Sequence, residues 1–147
     1  MQRRNFLQLL LSVAATMLLA PITALAASWN KAAFESATLS GAIKGLEIPA
    51  ETPSADIEII APDRAENGAV VQVQITSRIP DTESIAILVE KNPTPLIATF
   101  NFSNGALPFI VTRIKMAENS DIKAVIKAGD RYFTASHSIE VLENGCN

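Results

Sequence analysis

From residue 56 onward the chain alternates apolar and polar side chains with a period of two. The clearest run, 69–77, sets Val71, Val73 and Ile75 against Gln72, Gln74 and Thr76, which predicts a half-buried antiparallel strand. Segment 56–61 predicts a shorter strand with Ile57 and Ile59 inward, ended by Pro62. In 84–90, Ile85, Ile87 and Val89 face one way and Ala86 and Leu88 the other, so this strand is expected at the centre of a sheet with both faces covered. Asn92-Pro93-Thr94-Pro95 closes it, because proline has no N–H for the ladder and restricts the residue before it. Strands follow at 96–102, 108–116, 121–127, with Ile122, Ala124 and Ile126 inward, and 131–142. Turn chemistry sits between them: Ser103-Asn104-Gly105, Ala128-Gly129-Asp130 and, earlier, Asn67-Gly68, where positive φ angles for a tight reversal are expected.

Before residue 56 the period changes. Residues 29–46 read as one helix, with Asn30 placed to cap its start and Leu39, Ala42, Ile43 and Leu46 on one face; Gly45 and Pro49 stop it. Residues 51–54 form a polar connector. The pattern as a whole predicts an all-β chain, an immunoglobulin-like antiparallel β-sandwich of about seven strands with an N-terminal helix.

The first 26 residues do not belong to that domain. Arg3-Arg4-Asn5-Phe6-Leu7, an apolar run over 7–20 and the small-x-small Ala24-Leu25-Ala26 read as a cleavable export signal of twin-arginine type. A general export signal with two incidental arginines is the other reading. Cleavage after Ala26 leaves 27–147, a single domain in an extracytoplasmic compartment, the periplasm, with no stretch long and apolar enough to span a membrane. The signal removes Arg3 and Arg4 and none of the 15 acidic residues, so ten basic residues remain and the net charge is −5. That balance argues against nucleic acid as a partner.

Enzyme chemistry has few places to reside. His137, the single histidine, shares a strand face with Phe133, Ala135, Ile139 and Val141, so it reads as packed in a core or interface and not as a base or ligand. With one histidine and one cysteine no metal-binding spacing exists, no serine lies in a glycine-flanked elbow, and no glycine-rich phosphate loop is present. No catalytic residue, metal or cofactor is therefore assigned. Lys91 and Lys115 flank strand ends; they read either as a small basic patch or, more simply, as solvated lysines.

The single cysteine, Cys146, stands past the last strand on the polar tail Glu143-Asn144-Gly145-Cys146-Asn147. In an oxidising compartment a chain with one cysteine cannot cross-link itself, so the thiol stays free, is capped or pairs with another molecule. Glu143 and the Asn147 carboxylate disfavour its thiolate, and no neighbouring cation in the sequence favours it. A slow nucleophile of this kind fits a carrier activated by its partner's site. Other readings are an adaptor that dimerises through a Cys146 disulfide, a thiol peroxidase, which would need an activating neighbour the sequence lacks, and a frayed end without a role.

Several blocks in order carry a family resemblance: Asn30-Lys31-Ala32-Ala33-Phe34, Ala65-Glu66-Asn67-Gly68-Ala69-Val70-Val71, Ile85-Ala86-Ile87-Leu88-Val89-Glu90-Lys91-Asn92-Pro93, Arg113-Ile114-Lys115-Met116 and Gly145-Cys146. Together they resemble the SoxY family, the sulfur carriers of periplasmic thiosulfate oxidation. The resemblance implies a non-enzymatic carrier that pairs with a SoxZ-like β-sandwich subunit. Cys146 would hold the sulfur substrate covalently while a c-type cytochrome attaches thiosulfate, a hydrolase releases sulfate and, in some systems, a sulfur dehydrogenase oxidises what remains. The family tail usually reads Gly-Gly-Cys-Gly-Gly. Here Asn144 and Asn147 replace glycines and one terminal residue is missing, so the arm 143–147, with Asn144, Gly145 and Asn147 around the cysteine, is expected to be shorter and stiffer. Ile97, Ile110 and Ile114 are candidates for the partner interface, with ordinary core packing the alternative.

Overall fold

A computed structural model describes residues 29–143; the export signal read in 1–26 and the tail 144–147 lie outside the described residues. Among the described residues, nine strands follow two short helices. The helices are α1 (Lys31–Phe34) and α2 (Leu39–Gly45). The strands are β1 (Thr52–Pro53), β2 (Ile57–Ile60), β3 (Arg64–Ala65), β4 (Val71–Ser77), β5 (Thr82–Val89), β6 (Leu96–Asn101), β7 (Phe109–Ile114), β8 (Ser120–Ala128) and β9 (Arg131–Val141). The seven longer strands coincide with the seven read from periodicity, within a few residues at each end.

They form two sheets. The larger runs β1-β9-β8-β5-β6 with β3 also on β9, and the smaller runs β2-β4-β7. The longer strands pair antiparallel, while β1 and β3 add short parallel pairings along β9. Between the sheets lies the main core: Val71, Val73 and Ile75 from the small sheet meet Ile85, Ile87, Ile122, Ala124 and Ile126 from the large one, all at most 1% exposed. Each of these buried valines and isoleucines contributes roughly 2 kcal/mol of transfer free energy.

A second apolar layer explains why β5 is covered on both sides. Ala86, Leu88, Leu96 and Val125 on the outer face of the large sheet pack with Ala33 and Ala42 of the helices, flanked by Phe34, Leu39, Ile43 and Leu46. The continuous apolar run in β5 is thus the signature of a three-layer order: helices, large sheet, small sheet.

The single helix expected over 29–46 is instead two. Thr38 is extended (φ −132°, ψ 146°), its Oγ1 accepts the Gly41 N–H at 3.1 Å, and the Ser36 hydroxyl donates to the Thr38 carbonyl at 2.9 Å. Hydroxyls that hydrogen-bond nearby backbone compete with helical bonding and restart the helix at a new cap. Asn30 does cap α1 as expected, its Oδ1 accepting from the Ala33 N–H at 3.1 Å. Its Nδ2 also donates to the Gly45 carbonyl at 2.9 Å, tying the start of α1 to the end of α2.

One turn differs from expectation, and the others form where they were read. Asn67-Gly68 carries no positive φ; the Asn67 Oδ1 accepts from the Ala69 N–H at 2.8 Å, a side-chain turn in place of a backbone reversal. The Ser103-Asn104-Gly105 turn lies between its two strands as read: Asn104 (φ 55°) and Gly105 (φ 74°) adopt left-handed angles, and the turn carries the chain from β6 in one sheet to β7 in the other. The Gly129 turn behaves as read: φ is 59°, and Ala128 pairs with Arg131 across a two-residue loop.

Candidate functional site

The chemistry read from the sequence belongs to the end of β9, so the site is built from the residues that hold that end. β8 begins at Ser120, which pairs with Ile139, and β9 runs beyond it. Past that rung the antiparallel ladder has ended, and the exposed β9 amides need other acceptors. They find them alternately on the two edges of the strand. On one edge Glu140 N–H donates to the Asp63 carbonyl (2.9 Å) and Leu142 N–H to the Ala65 carbonyl (2.9 Å), the parallel pairing of β3. On the other, the Val141 N–H donates to Oδ1 of Asn119 at 2.7 Å, a side chain standing in for the missing strand.

The fastening continues to the last described residue. Gly68 N–H donates to the Glu143 carbonyl at 2.8 Å, and the Gly68 carbonyl accepts from Met116 N–H at 2.8 Å. Buried Asn92 then braces the loop that carries Met116: its Nδ2 donates to the Lys115 carbonyl and its Oδ1 accepts from Ala117 N–H, both at 2.8 Å. Ala65, Val141 and Met116 lie buried beneath this network. The blocks 65–71, 85–93 and 113–116 therefore meet at one end of the sandwich, around the root of the C-terminal tail.

Asn144, Gly145, Cys146 and Asn147, the tail and substrate-bearing residues read from the sequence, lie outside the described residues. Lys91 and Lys115 are exposed at the same end, on either side of the Asn92 bridge, but Glu66, Glu90, Glu118 and Glu143 are exposed with them. An open cleft beside β9 is lined by Asp63, Glu90, Asp121 and Glu140 with Lys91. This is an anion-repelling surface, so the two lysines form no basic field.

His137 is half-buried on β9 opposite Ile122, and its Nε2 lies 3.2 Å from the Asp63 carboxylate without hydrogen-bond alignment. Its position matches the packed role expected of it. Among the described residues no group of three or more metal-ligating side chains comes together, and no helix is long and apolar enough to cross a membrane.

The expected interface isoleucines are core. Ile110 and Ile114 are buried and Ile97 packs against the same cluster, because they sit on the inward-facing side of their strands. The outer face of the small sheet carries Ile60, Phe109 and Val111 instead, each about half exposed; Ile60 pairs with Gln74, and Gln74 with Val111, in one cross-strand row. Asn119, and the bracing roles of Asn92 and the Gly68 amide, escaped the sequence reading, in which Asn92 and Gly68 stand only as strand-end, turn and family-block residues. The only signal available was that polar loop residues stand where the strands end.

Comparison with known proteins finds similarity over most of the chain. The family model described as "Sulfur oxidation protein SoxY" matches residues 46–146. The solved structure of the sulfur carrier protein SoxY from Chlorobium limicola f. thiosulfatophilum is similar over 78% of this chain and 100% of its own, with 32% identity and a TM-score of 0.65. A structure of the bacterial superantigen toxic shock syndrome toxin-1 shares 13% identity over 58% of this chain, with a TM-score of 0.43. No curated protein matches the chain.

Proposed function

Since the chain belongs to the SoxY family of sulfur oxidation proteins, we propose that it is a non-enzymatic carrier holding sulfur intermediates of thiosulfate oxidation on Cys146. The observation that carries this reading is the way the chain is fastened up to Glu143, three residues short of its single cysteine. A body pinned to its last strand, followed by a thiol on a short polar tail, suits a group that other proteins act upon.

The chemistry balances with partners of stated class. Joining the Cys146 sulfur to the sulfane sulfur of thiosulfate forms an S–S bond, releases the thiol proton and sends two electrons to an acceptor, in this family a c-type cytochrome. Hydrolysis of the terminal sulfonate then adds the oxygen of water, releases sulfate and leaves a persulfide on the cysteine. Covalent tethering keeps the anionic intermediate from diffusing away between these steps and raises its concentration at each enzyme. The acidic cleft beside β9 supports this role, because it offers an anionic adduct no resting place on the carrier's own body.

In the same reading, residues 1–26 are a twin-arginine-type export signal, 27–147 works in the periplasm, and the chain pairs with a SoxZ-like β-sandwich subunit. Intact-mass measurement of protein purified from thiosulfate-grown cells tests it. The expected result is a set of adducts on Cys146 in steps of sulfur and sulfonate. A bare chain, or an obligatory disulfide-linked dimer, overturns the carrier reading.

A further inference from the structure

We propose that Asn104 is a site of spontaneous chemical modification, converted by the Gly105 amide and water to aspartate and isoaspartate, while the pair Asn67-Gly68 is locked against the same reaction. The chemistry is local and stands apart from the carrier reading. The Gly105 nitrogen attacks Cγ of Asn104 and gives up its proton, the new C–N bond closes a five-membered succinimide, and Nδ2 leaves as ammonia. Water then adds to either ring carbonyl and breaks that carbon's bond to the nitrogen. Opening at Cγ leaves aspartate; opening at the main-chain carbonyl leaves isoaspartate. One water is consumed and one ammonia released, with no electron transfer. The reaction needs a nitrogen free to lose its proton and a peptide free to swing toward the side chain, which glycine permits more readily than a residue with a Cβ.

The fold treats the two pairs oppositely. Asn67-Gly68 stands in the network that fastens the end of β9: Gly68 is buried, its N–H donates to the Glu143 carbonyl at 2.8 Å, and the Asn67 Oδ1 accepts from the Ala69 N–H at 2.8 Å. Attack there requires both bonds to break first. Asn104-Gly105 lies at the other end of the sandwich, in the crossover from β6 to β7. Both residues are exposed, a Cβ on Gly105 would meet nothing within 4 Å, and no backbone carbonyl among the described residues takes the Gly105 N–H. The turn is closed by the Ala106 N–H donating to the Ser103 carbonyl at 3.1 Å. A segment held by so little opens at small free-energy cost. Each conversion adds one carboxylate to an already acidic chain, in a cleft shared with Asp81 and Glu83, and leaves the braced end unaltered.

Full-length protein is held near neutral pH, native in one series and unfolded in guanidinium chloride in another, and sampled over time. Each sample is digested with trypsin and mapped by mass spectrometry, with enzymatic methylation of isoaspartate as a second readout. Tryptic peptides 65–78 and 92–113 carry the two pairs separately. In the native protein Asn104 is expected to convert roughly tenfold faster than Asn67, because the bonds at Gly68 and Asn67 must open before attack. In guanidinium the two rates should converge, since those bonds are gone. Asn104→Gln, whose extra methylene would force a six-membered ring, should remove the signal from 92–113 and leave that from 65–78 unchanged. Equal native rates at the two pairs overturn the locking of Asn67. A native Asn104 rate more than about tenfold below its unfolded value overturns the open site. A signal in 92–113 that persists in Asn104→Gln belongs to Asn92 or Asn101 and overturns the assignment.

Discussion

The Asn92 side chain donates to the Lys115 carbonyl at 2.8 Å and, through its other amide atom, accepts from Ala117 N–H at the same distance, so one buried residue joins two loops. Removing it leaves a carbonyl and an N–H without partners in a part-buried place. Each such group costs about 1–3 kcal/mol. Asn92→Ala is expected to lower unfolding free energy by about 3 kcal/mol in urea denaturation. A loss below about 1 kcal/mol would show that water replaces both bonds.

Gly45→Ala sets two effects against each other. Alanine favours a helix over glycine by about 1 kcal/mol. A Cβ at Gly45, however, would stand 2.6 Å from both the N and Cα of Ala33, backbone atoms that cannot rotate away. Forced separation of packed elements costs about 1–3 kcal/mol, so net destabilisation is expected, seen as a lower urea midpoint at unchanged slope. A stabilised variant would mean that α1 moves freely.

Glu83 and Lys127 pair across the β5–β8 ladder. The hydrogen bond from Lys127 holds the Glu83 carboxyl below its ordinary value, and the bond to Glu83 holds the Lys127 ammonium above its own. The glutamate's contribution to stability is present above the unfolded pKa and is lost as pH falls through the lowered folded one. The lysine's is present below its unfolded pKa and is lost as pH rises through the raised folded one. Lys127→Met should therefore move the Glu83 carboxyl midpoint upward in an NMR titration; an unmoved midpoint assigns the shift to something other than the pair.

Cys146→Ser is expected to abolish sulfur adducts while leaving the unfolding free energy, measured in urea, within about 0.5 kcal/mol of wild type, the range of a surface substitution away from the core. Loss of stability on this change would place the thiol among packed side chains and remove the case for a presented group.

The sequence was most legible where burial sets a period. Val71, Val73 and Ile75 alternate because one face of β4 meets the core, and the unbroken run in β5 betrayed its two covered faces. β1 and β3 were invisible for the opposite reason. Two residues carry no period, and their parallel pairing with β9 depends on chain segments far away. The helix break at Thr38 and the Asn67 turn come from side-chain oxygens competing for backbone N–H groups, a contest that composition does not decide. For the site, the lone cysteine and its polar tail stood out at once. Asn92 and Asn119 did not, because an amide bridging two loops looks in sequence like any other polar loop residue.

The strap on the final strand also bears on how the molecule matures. Arg64 and Glu140, joined side chain to side chain at 2.9 Å and by neighbouring backbone bonds, are 76 residues apart. Contacts of such span form only after nearly the entire polypeptide is available, which makes them slow and late. The terminal segment is therefore secured only when the sandwich around it is finished, and a chain that stalls short of that point displays its thiol from an unanchored end.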